Sequence, residues 1–279
     1  MSPGAQDIKA LDDPNAVMPG FDVPRSGLAL MTARTIDEVV DAWRLVYRTY
    51  LAAGRITPNN VELFTRPEAV GPESAVFMGR INGLTATTLT AIGDSERGLP
   101  LDCAFPTQLN AWRDEGRRLV AVDLFADRRQ QSTRRSSALF ELLRHAFFHC
   151  LASGATDMLC TVPVQWQDLY TTHFGFQPVP VAPPQGSGHD DCADEERAAD
   201  SGAGGYGEGG EGGGGGGLQL MRAIVADALD VPSERSAFAP FLKHPLPDDA
   251  LSQRFDFNSA AVATSAVGAF LQSSETGGR

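Results

Sequence analysis

The sequence predicts an α+β layer fold, and three observations carry that prediction. Apolar residues recur at helical spacing over 36–51 and again over 139–151. Short runs rich in β-branched and apolar residues alternate with those helices. Two of the runs flank Asn82-Gly83, the strongest short hairpin signal there is. The predicted order is one leading helix followed by β-β-α-β-α-β-α-β-β, the pattern of a sheet layered against helices.

Each element has its own local reason. Thr35-Ile36-Asp37-Glu38 has the form of a capping box. Ile36, Val39, Val40, Trp43, Val46, Tyr47, Tyr50 and Leu51 follow on one helical stripe, closed by Gly54. Residues 74–81 and 84–92 form the hairpin. Residues 106–115 read as a short helix ended by Gly116, and 119–125 as a strand rich in Val and Leu. Over 136–153, Leu139, Leu142, Leu143, Ala146, Phe147, Cys150 and Leu151 share a face, with Gly154 after them. Residues 157–162 are a short buried strand, 165–173 a short helix and 176–181 a strand. A last strand begins at Leu218, and the tail holds a weak helix near 260–271.

The chain has 279 residues, room for one large domain or two small ones, and 42% of them are hydrophobic, which excludes collagen-like and wholly disordered classes. No stretch approaches the roughly 20 apolar residues of a membrane span. The first residues have neither a basic start nor an apolar run, so no secretory signal is expected and a cytoplasmic location is the default. The net charge is -12, and the window 189–211 alone holds eight acids against one arginine. A chain acidic in this way is not expected to bind nucleic acid, but the location of its charge matters more than the total. Residues 201–217 contain 12 glycines, whose ordering entropy no buried side chain would offset. The expected organisation is a flexible segment over 1–30, a single domain over 31–182 and 218–244, a disordered acidic insertion over 183–217, and a tail over 245–279. Four cysteines, Cys103, Cys150, Cys160 and Cys192, form no C-x-x-C pair and are expected as free thiols, three of them buried.

Several reactive patterns are absent: there is no G-x-S-x-G elbow, no P-loop and no H-E-x-x-H. GAGGYG at 202–207 satisfies G-x-G-x-x-G, but no strand precedes it and no helix follows, so the match is compositional. His145 and His149 lie four apart on one helix, a spacing that suits a metal, yet no acidic partner stands between them and no metal is expected.

The denser signal runs from Leu99 to Gly175. The segment GLPLDCAFPTQLNAWRDEGRRLVAVDLFADRR (98–129), a helix, and then TDMLCTVPVQWQDLYTTHFGFQPV (156–179) resemble the long-chain N-acyl amino acid synthases. VYRTYLAAGRI (46–56) is similar to that family's early helix and loop. These are acyltransferases of the GNAT fold, related to the acyl-homoserine-lactone autoinducer synthases. The resemblance implies a central mixed, mostly antiparallel sheet flanked by helices. It also implies transfer of a long acyl chain from acyl carrier protein to the amine of an amino acid. The donor is acyl-phosphopantetheine on the carrier protein or acyl-CoA, and no cofactor is permanently bound. In this fold the oxyanion donors are backbone N–H groups, here near Leu124, Phe125, Ala126 and Asp127. Val162 and Trp166 fall on the acyl-phosphopantetheine path, and Tyr170 on the group that protonates the leaving sulfur. Asp94 and Arg113 match the family pattern on the amine side, or fix the loop and helix.

Two positions depart from that pattern. Ala121 stands where the family has a strand glutamate, and Trp166 where it has a histidine. Asp123 lies on the same strand face as Ala121, where it takes over amine binding or is a solvated strand-end carboxylate. The segment 131–136 has no glycine, so a pyrophosphate cradle of the acetyl-CoA type is disfavoured. Arg128, Arg129, Arg134 and Arg135 cluster there instead, in an otherwise acidic chain. They suit the acidic face of a carrier protein or form a solvated charged turn. An acetyl-CoA-dependent acetyltransferase and a catalytically silent carrier-binding module are the alternatives.

Overall fold

The structure, a computed structural model, describes residues 28–128, 132–180, 218–230 and 263–265, without the side chains of 132–137 and 228–230. The elements are β1 (Ala29–Thr32), α1 (Ile36–Ala52), β2 (Ser74–Ile81), β3 (Leu84–Gly93), α2 (Pro106–Asp114), β4 (Leu119–Asp127), α3 (Ser132–Ser153), β5 (Asp157–Pro163), α4 (Gln167–Phe174), β6 (Gln177–Pro178), β7 (Leu218–Ile224) and α5 (Val225–Asp230). The strands form a seven-stranded sheet in the order β1-β2-β3-β4-β5-β7-β6. Every neighbouring pair is antiparallel except β4 and β5.

The sheet divides two helix layers. Strand alternation sends Val76, Met78, Ile92, Leu119, Ala121, Leu159 and Leu220 to one face, against Val39, Trp43 and Val46 of α1 and Leu109 and Trp112 of α2. The alternate residues, among them Phe77, Ala91, Val120, Val122, Met158, Cys160 and Met221, meet Leu142, Leu143, Ala146 and Phe147 of α3 and Phe174 of α4. Both clusters consist of fully enclosed side chains, with Trp43, Phe77, Phe147 and Phe174 each at or below 1% exposure.

Local chemistry explains the boundaries. The Thr35 side chain accepts from the Glu38 N–H while Glu38 reaches back to the Thr35 N–H, completing the predicted capping box at α1. Asn82 and Gly83 both have positive φ, 51° and 78°, the geometry of a type I′ turn, and Ile81 pairs with Leu84 across it. Strand β1 is not legible in the sequence because its four residues form an edge strand against β2 alone. Helix α3 starts at Ser132, four residues before the predicted start at 136, since the sequence STRR over 132–135 holds no apolar residue to mark that turn.

Strands β6 and β7, which flank residues 181–217, pair at Gln177↔Arg222 and Pro178↔Met221. The insertion expected over 183–217, its G-x-G-x-x-G match and the segment 1–27 lie outside the described residues. From the tail, Ala263, Thr264 and Ser265 are helical, and Thr264 Oγ1 donates to the Gly71 carbonyl at 2.9 Å.

The expectation of four free thiols fails at Cys103, which is disulfide-bonded and lies on the exposed turn before α2. Cys150 and Cys160 are free and buried, and burial pushes both thiols up, Cys150 to about 12. Cys192 lies outside the described residues. His145 and His149 are core residues, each packed with its ring centroid 6.1 Å from that of Phe77. Among the described residues no group of three or more His, Cys, Asp or Glu is placed to hold a metal ion. No helix of the described residues is long and apolar enough to cross a membrane.

Candidate functional site

The one parallel ladder in the sheet stops early. Strands β4 and β5 pair at Leu119↔Asp157, Val120↔Met158 and Ala121↔Leu159 and no further. Both strands nevertheless run on, β4 to Asp127 alongside β3 and β5 to Pro163 alongside β7. Residues 122–127 and 160–163 therefore part from one another, and a cleft opens between two half-sheets that each keep their own ladder.

A bulge in β4 sits at the mouth of that cleft. The β3–β4 register moves from Thr90↔Asp123 to Thr88↔Ala126, so one extra residue is accommodated in β4, and Leu124 takes a φ of 55°. Such a backbone is uncommon for leucine and is held here by full burial of the side chain. The bulge changes which residues share a face. Ala121, Asp123 and Leu124 all turn to the α1 side, whereas Val122 and Phe125 turn to the α3 side. Thr90, the partner of Asp123, confirms the facing, since its Oγ1 accepts from Trp43 Nε1 of α1 at 3.5 Å.

Asp123 is not a solvated strand-end group. Its Oδ2 accepts from Arg66 Nε at 3.1 Å, its Oδ1 accepts from the Leu124 N–H at 2.6 Å, and its side chain is 29% exposed. Around it the α1 face supplies residues the sequence reading did not single out. Arg66 lies over the Phe64 ring at 5.9 Å, Phe64 stacks on Tyr50 at 5.5 Å, and the Arg55 guanidinium lies over Tyr50 at 5.0 Å. Burial raises the Tyr50 phenol well above its ordinary range, and the Asp123 carboxylate adds to that rise. The charges of Arg55 and Arg66 and a hydrogen bond with Arg55 oppose it. No sequence signal marks these residues: Arg55 only follows the helix stop at Gly54, and Arg66 only precedes Pro67.

On the α3 side the structure gathers Phe125, Val162, Trp166 and Tyr170 into one apolar cluster. Tyr170 packs edge-on against Phe176 at 5.7 Å and tilted against Phe174 at 5.3 Å. Tyr170 and Asp123 thus stand on opposite faces of the sheet, with the strand gap between them. Ala126 and Asp127 stay in the ladder with β3, and the Ala126 carbonyl accepts from Thr87 Oγ1 at 3.1 Å.

The remaining expected residues lie elsewhere. Asp94 and Arg113 are at the opposite end of β4, where the Asp94 N–H donates to the Leu119 carbonyl, about 13 Å of strand from Asp123. Arg113 forks between two carboxylates. It donates to Asp94 at 2.6 and 2.9 Å and to Asp102 at 2.6 and 2.8 Å. Partial burial pushes Asp102 up, but the hydrogen bonds from Arg113 and the Leu99 N–H outweigh it and hold the carboxyl below its usual range. Arg128 is exposed just past β4, with its N–H donating to the Ala86 carbonyl at 3.0 Å. Arg134 and Arg135 fall in the first turn of α3 with their side chains outside the described residues, as is the whole of Arg129.

Solved structures match this fold. The structure of FeeM, an N-acyl amino acid synthase from uncultured soil microbes, matches 77% of this chain and 97% of its own at 18% identity, with a TM-score of 0.52. A CoA-dependent acyl-homoserine lactone synthase, BjaI, matches 82% of this chain and 99% of its own at 11% identity, with a TM-score of 0.50. An acetyltransferase of the GNAT family from Streptococcus pneumoniae matches 71% and 98% at 14% identity, with a TM-score of 0.40. No curated protein matches the sequence. Residues 41–184 match the family described as N-acyl amino acid synthase FeeM, a span that holds α1 from Asp41 onward, the bulged strand and Tyr170. The chain belongs to the FeeM family of N-acyl amino acid synthases, acyltransferases with a GNAT-like fold.

Proposed function

We propose that this acyltransferase moves a long acyl chain from the phosphopantetheine thioester of acyl carrier protein to the amine of an amino acid. The observation that supports this best is the strand gap with different chemistry on its two faces. The α3 face offers an apolar wall with one phenol, Tyr170, suited to a pantetheine arm and an acyl chain. The α1 face offers Asp123, Arg66, Tyr50 and Arg55, suited to a small charged acceptor.

In this reading the thioester carbonyl lies in the gap beside the bulge, where backbone N–H groups at the end of β4 that neither Asp123 nor the ladder with β3 engages face the developing oxyanion. The acceptor amine, neutral at nitrogen, attacks that carbonyl from the α1 face. Its excess proton passes to Asp123 or through water to solvent, the C–N bond forms, and the C–S bond breaks. The departing sulfur takes a proton from Tyr170. Asp123 does here what a glutamate at Ala121 would do one step down the strand. Ala121 itself is 1% exposed at the last rung of the ladder, inside the core.

The carrier protein docks at the arginines that follow β4, Arg128 and Arg129, with Arg134 and Arg135 of α3, since a carrier protein presents acidic residues. Arg134→Glu with Arg135→Glu is expected to weaken carrier-protein binding and make the remainder less salt-sensitive; unchanged affinity at low salt would remove the docking site. The reaction is tested by incubating the purified chain with long-chain acyl carrier protein, or with the matching acyl-CoA, and the twenty amino acids. Mass spectrometry of the extract reads the result. An acylated amino acid formed from the carrier protein establishes the proposal, transfer from acyl-CoA alone replaces the donor, and an untouched thioester overturns it.

A further inference from the structure

Two residues beyond the last rung of the β4–β5 ladder, Ala121↔Leu159, each strand carries a polar side chain on the α1 face, Asp123 on β4 and Thr161 on β5. The facing of Thr161 follows from its neighbours. It pairs with Leu220 of β7, which lies in the α1-side cluster, while Cys160 and Val162 lie in the α3-side cluster. Burial singles out the same two positions. From Asp157 to Val162 every residue is buried except Thr161, and Asp123 is the half-buried residue between buried Val122 and Leu124. Asp157 and Leu159 share the face of Thr161 and are closed off, so the parting of the strands is what opens Thr161.

Nothing in the fold uses the Thr161 hydroxyl. It makes no hydrogen bond among the described residues, and valine, which stands at the next position, serves a buried strand as well. Asp123, by contrast, is already oriented by Arg66 and the Leu124 N–H, with acceptor capacity left on each oxygen. Its charge carries across the gap. Burial pushes up the Cys160 thiol, next to Thr161, and the Asp123 carboxylate adds to that rise.

We propose that Thr161 positions the attacking nitrogen: its Oγ1 accepts one N–H of the acceptor amine while Asp123 accepts the other. The proposal rests on the acyl-transfer reading and adds to it the residue that aims the nucleophile. A neutral primary amine has two N–H bonds and one lone pair. With the N–H bonds held from opposite strands, the lone pair is left to point along the gap at the thioester carbonyl. As the C–N bond forms and the C–S bond breaks, the proton leaves nitrogen toward Asp123, and the Thr161 hydroxyl keeps its own. The span is adequate. Paired strands stand about 4.8 Å apart, and one nitrogen donating to two oxygens at about 2.9 Å each bridges up to about 6 Å. A secondary amine has a single N–H and satisfies only one of the two contacts, so the site selects primary amines.

The test uses the full chain with a long-chain thioester of acyl carrier protein or of CoA. The acceptors are the amino acid that the wild type binds most tightly among the twenty and its N-methyl derivative. Transfer kinetics are read with donor, and calorimetric binding without it. Thr161→Val keeps the shape of the strand residue and removes the hydroxyl. It is expected to lower kcat/KM for the primary amine about 10-fold, the order of one hydrogen bond, with the donor KM unchanged. The N-methyl amine, whose remaining N–H goes to the charged Asp123, should change by less than about 2-fold. Thr161→Ser should restore most of the primary-amine rate. An unchanged primary-amine rate in Thr161→Val, equal losses with both amines, or a loss confined to the donor KM overturns the proposal. Transfer to both amines with no dependence on Thr161 leaves the acyl-transfer reading standing without it. Primary-amine binding that Thr161→Val weakens, in a chain that transfers no acyl group, does the reverse.

Discussion

Asp123 accepts from a guanidinium and from its own strand's next N–H, so its orientation is fixed before any substrate arrives. Removing its charge with Asp123→Asn should therefore lower kcat/KM for the amine by about 10²-fold or more, with the donor KM unchanged. An unaltered rate would leave the carboxylate a purely structural partner of Arg66. Tyr170→Phe keeps the rings of Phe174 and Phe176 in place and removes one proton. A loss of about 10²-fold, recovered with a donor whose thiol leaves more readily, would identify the phenol as the acid; a loss that such a donor does not recover would assign it to packing. At His149, burial lowers the ring to about 4 from its ordinary 6.5. The unfolded chain then holds more protons than the folded one between those values, so stability falls as pH drops from about 6.5 toward 4. The upper bound is about 3 kcal/mol, and a melting series should show that slope in the wild type and a flatter one in His149→Leu. Of the residues at the cleft, Asp123 and Tyr170 were legible because resemblance and alternation pointed at them. Tyr50, Arg55, Phe64 and Arg66 were not, since an arginine after a helix stop looks like any solvated charge until the chain folds it onto a ring.

At the scale of single elements, the strands and helices of the central sheet were readable because each carries a strong local signal. The capping box at Thr35, the Asn82-Gly83 turn and the valine-rich β4 all needed no tertiary information. The bulge did need it. Nothing in VDLFAD distinguishes a regular strand from one with Leu124 at positive φ, because only the mismatch in register with β3 forces the extra residue. The cap of α1 offers the cleanest test of an element acting on the site. A Cβ at Gly54 would meet nothing within 4 Å, so Gly54→Ala brings no clash, only the cost of a left-handed backbone, about 1 kcal/mol. If the cap positions Arg55, that substitution should raise the amino-acid KM several-fold while the donor KM holds. An amino-acid KM equal to the wild-type value would separate the cap from the site.

For the molecule as a whole, charge is not evenly distributed along the sequence. The acidic window 189–211 lies between β6 and β7, strands that pair with each other, whereas four arginines, Arg128, Arg129, Arg134 and Arg135, fall between the end of β4 and the first turn of α3. Deleting residues 201–217, which leaves all four cysteines in place, and bridging them with a short linker should leave the melting temperature within a few degrees, because the flanking strands already meet. A large fall would show that the segment contributes packing. The layered architecture followed from element order, while the split of the sheet did not, because a ladder's length is set by bulge and twist together and has no sequence pattern of its own.

The early end of the β4–β5 ladder also bears on how the chain acquires its fold. The half-sheet β1 to β4 is built from contiguous sequence between residues 29 and 127, so all of its strand pairings can form without any residue made later. Strand β5 shares only three rungs with that half, and the rest of its partners are on β7, where Asp157 meets Ile224 across the whole intervening segment. Its second edge stays unpaired until residues 218–224 arrive. On a ribosome, truncation before Leu218 should therefore yield a protected N-terminal half and a protease-sensitive β5, with protection of both appearing together once β7 has emerged.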